Sequence, residues 1–409
     1  MGEKSIHYLK RIIQHLYFGK ILSCADLSDE LNKSVPLTSK MLNELIEEGW
    51  VSETGFAAST GGRRPVMYAL VPDVKYIVAV AMDQLNTRIA LLDLHNKYVS
   101  DIVKFELPLT NNPAALAVLV QKIDEFINNT GIPKDKLAGI GIGMPGFIDF
   151  VKGINYTFLP CEEESINAYI SKRLELPVFI DNDSSVIALA ELRFGAVRGK
   201  KDAMVINAAW GVGLGLILNG KLFRGHDGFA GEFSHIPLFE NNKLCSCGKT
   251  GCLETEASLL VVIENVRKAL AEGKLSSLKE LPENHFELAW EVIADAAKNG
   301  DKLCVELLSQ AAYTIGRGAA ILIHILNPEI IILSGRGSLA GKIWLAPIQQ
   351  ALNEHCIPRL GANTEIQISS LGYHAELIGA AALVMEHYEK DVMTKSYSST
   401  VVSNTFNNN

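Results

Sequence analysis

Residues 228–258 read GFAGEFSHIPLFENNKLCSCGKTGCLETEAS and hold Cys245, Cys247 and Cys252 close together, with His235 ahead of them and two glycines between the second and third cysteine. Zinc takes thiolate and imidazole ligands in closed tetrahedral sites, and glycine lets the chain turn back around an ion. The spacing therefore predicts one structural zinc on these four residues. The alternative is a set of buried, inert thiols.

The same stretch carries a family pattern, G-x-A-G-E-x-x-H ending at His235 and C-x-C-G-x-x-G-C-x-E ending at Glu254. It resembles the signature of the ROK family of repressors and sugar kinases, and departs from it at Ser234, where the family usually has glycine. The resemblance extends over residues 5–390. It implies an N-terminal DNA-binding arm in the repressors, which the sugar kinases lack, and a sugar site beside the metal.

Length and composition describe a globular chain of several domains. The 409 residues are 48% hydrophobic with a net charge of -8, and the remaining four of the seven cysteines are scattered rather than arranged as a disulfide framework. No apolar run reaches the roughly 18 residues of a membrane span, and the first residues form an amphipathic pattern rather than a signal peptide. We expect a cytoplasmic protein with no membrane partner, associated with the nucleoid when bound to DNA.

Residues 1–72 are predicted to form a winged helix-turn-helix domain. Apolar residues at helical spacing mark helices over residues 5–18, 25–31 and 35–48, and short strands at 50–53 and 66–70 flank the string STGGRRP at 59–65. Such a module places its second helix in the major groove and its wing on the minor groove or the phosphates. The alternative is a helical protein-interaction module.

The TGGRRP string resembles the DNA-binding arm of ROK repressors, which favours operator DNA as a partner. The candidate DNA-binding residues are Ser39 and Lys40 on the second helix of the motif, with Arg63 and Arg64 in the wing. Leu37 and Thr38 both fit a core-facing register, so the rotation of this helix stays open. A protein partner stays open as well.

The rest of the chain is predicted to form two lobes of an α/β fold. Apolar runs at 75–83, 88–94 and 98–107, followed by alternating helix and strand, match the ribonuclease-H-like unit of the actin and hexokinase superfamily, and a second copy begins near residue 203. The predicted boundaries are 73–185 for the first lobe, joined by a C-terminal helix at 374–390, and 186–373 for the second lobe with the zinc loop. Residues 391–409 are polar and expected to be disordered.

A cleft between two such lobes is a typical ligand site. Asp183 follows a predicted strand and precedes a helix, where it could serve as a helix cap or take a proton from a sugar hydroxyl. The ROK resemblance implies the second role in kinases, with Asp183 as the catalytic residue. It also implies a sugar-binding set on both lobes: Gly146, Asn182, Asp183, Glu232, His235 and Glu254.

The nucleotide half departs from the superfamily. Its kinases hold ATP phosphates with a D-x-G-x-T turn, whose glycine lets the backbone approach the phosphates. Here the chain reads DQLNT from Asp83 to Thr87, and Trp210 stands in the second phosphate loop where a small hydroxyl residue is usual. The sequence therefore disfavours ATP as a cofactor.

These features together predict a sugar-responsive DNA-binding repressor, working as a homodimer or tetramer, with a sugar or sugar phosphate as effector. The alternative, kept open by Asp183, is an ATP-dependent hexose or amino-sugar kinase of the same family.

Overall fold

The computed structural model describes residues 3–58, 64–161, 164–283 and 285–388, and the chain divides into two compact units. Unit 1 comprises Met1–Val71 with Met385–Asn409, and unit 2 comprises Pro72–Val384. Arg63, most of the wing string and the expected disordered tail lie outside the described residues. Within the described ranges, no helix is both long and apolar enough to cross a membrane.

Unit 1 has the outline of a winged helix-turn-helix. Its described elements are α1 Glu3–Gly19, β1 Leu22–Ser23, α2 Cys24–Leu31, α3 Val35–Glu47, β2 Val51–Phe56 and β3 Val66–Leu70. The three strands form an antiparallel sheet in the order β1-β3-β2. The helices bury one apolar stripe each, for example Ile12 and Leu16 on α1 and Leu42 on α3.

Polar residues at the ends of α2 and at the start of α3 determine where these two helices begin and end. Ser23 and Asp26 form a reciprocal capping box at the start of α2, which satisfies backbone donors that a helix leaves free. Asn32 ends α2 in the left-handed conformation, and Ser34 precedes α3 with Pro36 in its first turn. Only three residues therefore separate the end of α2 at Leu31 from the start of α3 at Val35.

Unit 2 contains two lobes of related topology. The first lobe has β4 Tyr76–Met82, β5 Asn86–Asp93, β6 Val103–Glu106, α4 Ala115–Thr130, β7 Leu137–Met144, β8 Ile148–Asp149, β9 Ile154–Asn155, α5 Ile166–Leu174, β10 Val178–Asn182 and α6 Asp183–Phe194. The second has β11 Ala203–Ala208, β12 Val212–Leu218, β13 Lys221–Phe223, α7 Glu254–Ala257, α8 Leu259–Ala271, α9 Phe286–Lys298, α10 Lys302–Leu326, β14 Ile330–Ser334, α11 Leu345–His355, α12 Pro358–Gly361 and β15 Glu365–Ile368. The helix α13, Ala375–Glu386, follows in the chain and packs on β7 of the first lobe, and its last two residues group with unit 1.

The two five-stranded sheets have the same strand order. One runs β6-β5-β4-β7-β10 and the other β13-β12-β11-β14-β15, so in each sheet the first three strands form an antiparallel meander and the last two are parallel to the first strand. The central strands β4 and β11 are buried almost throughout because helices cover both faces. The repeated topology confirms the predicted ribonuclease-H-like fold.

The helices α6 and α13 pack against each other between the two sheets, with α13 on the first sheet and α6 on the second. A Cβ at Gly141 of β7 would overlap the carbonyl oxygen of Ala380 on α13, and one at Gly379 would overlap the backbone of Val186 on α6. Only glycine allows these approaches. α6 in turn packs on the second sheet, where Gly215 of β12 lies against Ala188.

Several strand predictions were wrong in extent. The run at 98–107 is a strand only over Val103–Glu106, with Tyr98 forming a single bridge to Leu92. In the second lobe, β12 and β13 form a hairpin that turns at Asn219-Gly220, both in the left-handed region. β1 and β15 were not predicted because two and four residues are too short for a periodic signal.

Candidate functional site

A cleft of about 410 Å³ lies between the lobes of unit 2. It is lined by all six residues of the predicted sugar-binding set, which come from four separate segments of the chain: Gly146, Asn182, Asp183, Glu232, His235 and Glu254. Gly146 follows β7, Asn182 is the last residue of β10 and Asp183 comes next, and the carboxyl ends of these two strands meet at one edge of the first sheet. The other three come from the loop after β13 and from α7.

Asn182 is the N-cap of α6. Its Oδ1 accepts hydrogen bonds from the backbone N–H groups of Ser184 and Ser185 at 2.9 and 3.3 Å, and its Nδ2 donates to the carbonyl oxygen of Gly146 at 3.2 Å. The cap fixes the amide at the cleft wall and ties it to the Gly146 turn. The second N–H of the same amide is available for a ligand oxygen.

Asp183 is half-buried in the wall next to the cap. Its Oδ1 accepts from the backbone N–H of Ser184 at 2.8 Å, and Asn207 of β11 donates to its Oδ2 at 3.3 Å. Burial raises the pKa of Asp183 to about 6, against the lowering effect of the Ser184 hydrogen bonds, and the negative charges of Asp83 and Glu232 add to the rise. The carboxylate is therefore a strong acceptor above that pH.

The four predicted metal ligands lie together. Their ligand atoms are all within 4.8 Å of one another, the Sγ of Cys245 is 3.5 Å from Nδ1 of His235, and the Sγ atoms of Cys247 and Cys252 are 3.7 Å apart. In a tetrahedron with Zn–S bonds of about 2.3 Å, ligand atoms stand about 3.7 Å apart. Three thiols and one imidazole at these separations fit a tetrahedral metal ion.

The loop that carries these ligands folds as a tight knuckle. The N–H of Gly248 donates to the carbonyl of Cys245 at 2.9 Å, and the N–H of Cys245 donates to that of Lys249 at 2.8 Å. Gly248 and Gly251 have φ of 83° and 78°, and a Cβ at Gly251 would overlap the carbonyl oxygen of Phe239. The glycines are therefore required where the chain turns around the ligand set.

His235 connects the metal cluster to the cleft. Its Nδ1 faces Cys245, and its Nε2 is 3.7 Å from Oε2 of Glu232 on the cleft side. A metal on Nδ1 would hold the ring in place and leave Nε2 for Glu232 or a ligand. Glu254 stands beside Gly211, where a Cβ would meet its Oε2.

The turn that corresponds to the phosphate-binding turn of the kinases is occupied by the protein itself. Oδ1 of Asp83 accepts hydrogen bonds from the backbone N–H groups of Leu85 and Asn86, both at 2.7 Å, and Nη2 of Arg336 contacts its Oδ2 at 2.5 Å. Those two N–H donors are consequently unavailable for a phosphate.

Arg336 lies at the centre of a buried charge network. It is 2% exposed, its Nη1 is 2.8 Å from Oε1 of Glu287, and Glu287 also pairs with Lys104. Its guanidinium stacks 4.4 Å from the ring centroids of both Trp210 and Tyr373. A cation and two aromatic rings therefore fill the region next to Asp83.

The sequence prediction missed Arg336 and Glu287. Arg336 stands between two glycines directly after β14, at the end of a buried strand, and that position was the available signal. Glu287 lies in the first turn of α9, far from Asp83 and Arg336 in the sequence, so no local pattern relates them.

The candidate DNA-binding residues lie in unit 1. On α3, Lys40 is exposed and Ser39 is half-buried, while Thr38 is buried and Leu37 is 38% exposed. This resolves the open rotation of the helix, since Thr38 faces the core and Leu37 does not. Arg64, in the described end of the wing string, is exposed, with its guanidinium carbon 5.6 Å from the Phe56 ring centroid.

Comparison with known proteins gives both regulators and kinases. The xylose repressor of Caldicellulosiruptor bescii is 30% identical over 383 residues, covering 91% of this chain and 94% of that protein. The glucokinase of Halalkalibacterium halodurans is 32% identical over 289 residues, 69% of this chain and 88% of the enzyme. The crystal structure of a ROK family transcriptional regulator, a homolog of E. coli MLC, superposes with a TM-score of 0.77 at 26% identity, covering 95% of this chain and 97% of that one.

The sequence also matches the ROK family itself over residues 78–387, which includes both lobes, the cleft residues and the cysteine knuckle. The sequence signature of residues 228–254 had pointed to the same assignment. This chain belongs to the ROK family.

Proposed function

We propose that this protein is a sugar-responsive DNA-binding transcriptional repressor. In this proposal residues 1–72 bind operator DNA, and the cleft formed by the lobes 73–185 and 186–373 binds the effector. The observation that carries it is the extent of similarity, since regulators match 91% and 95% of the chain while the glucokinase matches 69%. Operator binding would place the protein at the nucleoid.

The polar groups of the cleft suit a polyhydroxylated ligand. Asp183, Glu232 and Glu254 offer carboxylate oxygens as acceptors, and Asn182 offers an amide donor. Hydrogen bonds from sugar hydroxyls to carboxylates are stronger than those between neutral groups, and several directional bonds give selectivity among sugars.

We further propose that the metal is zinc and that its role is structural. His235, Cys245, Cys247 and Cys252 would fill all four positions, which leaves none for substrate, as in closed structural sites. Bound zinc would fix the imidazole through Nδ1. Nε2 of His235 and the adjacent Glu232 would then be held ready for a sugar hydroxyl.

The turn at Asp83, whose backbone donors are already used within the protein, favours a sugar sensor over a kinase. ATP would have to displace the Asp83–Arg336 ion pair and recover backbone donors that Asp83 already uses. The kinase alternative rests on Asp183, which lines the cleft where a hydroxyl proton acceptor would act.

One set of measurements separates the two functions. Calorimetry with D-xylose, D-glucose and N-acetylglucosamine should detect binding of at least one sugar, and that sugar should weaken operator binding in a mobility-shift assay. A coupled assay with ATP should detect no phosphorylation of the same sugar. Turnover that saturates with sugar and disappears in Asp183→Asn would instead establish the kinase.

A further inference from the structure

The charged side chains of the cleft are of one sign. Among the described residues that line it are four carboxylates, of Asp83, Asp183, Glu232 and Glu254, and neither a lysine nor an arginine. The charge of Asp83 is balanced by Arg336, which Glu287 contacts from the other side. The remaining three carboxylates have no cation in the lining.

The metal cluster does not reverse this charge. Three thiolates and a divalent cation sum to a charge of -1 with a neutral imidazole, so a bound zinc ion would add no positive potential. Arg224, which lies in the loop before the knuckle, is already paired with Asp181 at 2.6 Å.

The start of α6 offers no anion site either. The N-terminus of a helix usually attracts a phosphate through its free N–H groups. Here the N–H groups of Ser184 and Ser185 are bonded to the side chains of Asn182 and Asp183, and Asp183 places a negative charge at the same end. The helix therefore stabilises a carboxylate of this chain in place of a ligand phosphate.

Neutral groups make up much of the remaining wall. Phe147 from the first lobe and Phe229 from the second meet edge to face, with ring centroids 5.7 Å apart, and Thr157 and Phe158 lie beside them. Aromatic rings contact the C–H faces of a sugar without requiring charge on it.

From this one-sided charge we propose that the effector is an unphosphorylated sugar and that the cleft rejects the corresponding sugar phosphate. The proposal rests on the sugar-binding function proposed above and narrows it. A phosphate dianion anywhere in the cleft would face like charges with no compensating cation, whereas hydroxyl groups would donate to the same carboxylates.

Calorimetry of the full-length, zinc-loaded protein at pH 8 tests the proposal with matched pairs. The pairs are D-glucose and its 6-phosphate, N-acetylglucosamine and its 6-phosphate, and D-xylose and its 1-phosphate. At this pH the phosphates are dianionic. We expect at least one neutral sugar to bind and its phosphate to bind at least about tenfold more weakly.

Each outcome is decisive. A phosphate that binds as tightly as its neutral sugar, or more tightly, overturns this inference and leaves the sugar-sensing function standing. If no member of any pair binds at millimolar concentration, the sugar-sensing function fails and this inference with it.

A variant tests whether the cleft carboxylates cause the preference for the neutral sugar over its phosphate. Asp183→Asn removes one negative charge without changing side-chain size, so the affinity ratio between the neutral sugar and its phosphate should shrink. Glu264→Gln on α8 removes an exposed carboxylate outside the lining and should leave the ratio unchanged. An unchanged ratio in Asp183→Asn would contradict the electrostatic origin of the selectivity.

Discussion

The carboxylate of Asp183 lowers the stability of the folded chain at neutral pH. Its pKa in the folded chain is about 6, against an ordinary value of 3.8, because it is buried near other carboxylates. The folded state therefore binds the proton more tightly than the unfolded state between these values. The free energy of unfolding falls as pH rises through that window, and the loss persists above it.

The first prediction follows from that sign. At pH 8, Asp183→Asn should raise the free energy of unfolding, by up to about 3 kcal/mol, because it removes a charge whose burial is unfavourable. It should also weaken sugar binding by removing the carboxylate acceptor. Urea unfolding and calorimetry check the two effects, and a variant that is destabilised at pH 8 but unaffected at pH 4 would contradict the account.

The charge of Arg336, in contrast, is buried and paired with the carboxylates of Asp83 and Glu287. Replacing Arg336 with methionine should lower the free energy of unfolding by about 3–5 kcal/mol, because the half-buried carboxylate of Asp83 would lose its partner and Glu287 would keep only Lys104.

A double variant isolates the pairing from the packing. Adding Asp83→Asn to Arg336→Met should recover part of the loss, which urea unfolding of the four proteins in the cycle measures. Additive losses would mean that Arg336 acts through its stacking on Trp210 and Tyr373 rather than through charge.

At the level of elements, the sequence was informative where a signal was local. The helix predicted over residues 25–31 is α2, Cys24–Leu31, and the cysteine knuckle was apparent from spacing alone. The network around Arg336 could not be predicted, because its charged members come from four separate segments of the chain whose proximity depends on tertiary packing. A single sequence contains no pattern for such contacts.

The knuckle gives the third prediction. Cys247→Ser should reduce bound zinc from one ion per chain to well below one, and should weaken sugar binding because His235 loses its fixed orientation. Cys247 is exposed, so lost packing would not explain the result. Elemental analysis and calorimetry provide the readouts, with Cys161→Ser as the control; full zinc occupancy in the Cys247 variant would refute the ligand set.

The wing gives the fourth prediction. Arg63→Ala and Arg64→Ala should each weaken operator binding and reduce the slope of log affinity against log salt by about 1, because each removes one phosphate or groove contact. Lys274→Ala removes the same charge from an exposed loop of unit 2 and should change neither quantity. Fluorescence anisotropy over a salt series would measure this, and unchanged slopes for both arginine variants would remove the wing from the interface.

For the whole molecule, the proposed function requires more than one chain. A winged helix reads only a short half-site, and two-fold operators are bound by two-fold proteins. We therefore expect a homodimer in light scattering. An operator obtained by in vitro selection should contain two inverted half-sites.

The fifth prediction concerns the contribution of each half-site to operator binding. Scrambling one half-site should weaken operator binding by about a hundredfold or more, because the second contact of a linked pair is intramolecular. Scrambling the spacer at constant length serves as the control. Equal affinity for one and two half-sites would show that the chains bind independently.

His235 belongs at once to the cysteine knuckle and to the cleft, and this sharing has a thermodynamic consequence. If zinc improves sugar affinity by some factor, the sugar must improve zinc affinity by the same factor, because the two equilibria close a cycle. In a metal-buffered medium, the repressor's sensitivity to its effector would then follow zinc availability. A cell starved of zinc would need a higher sugar concentration to derepress the same promoter.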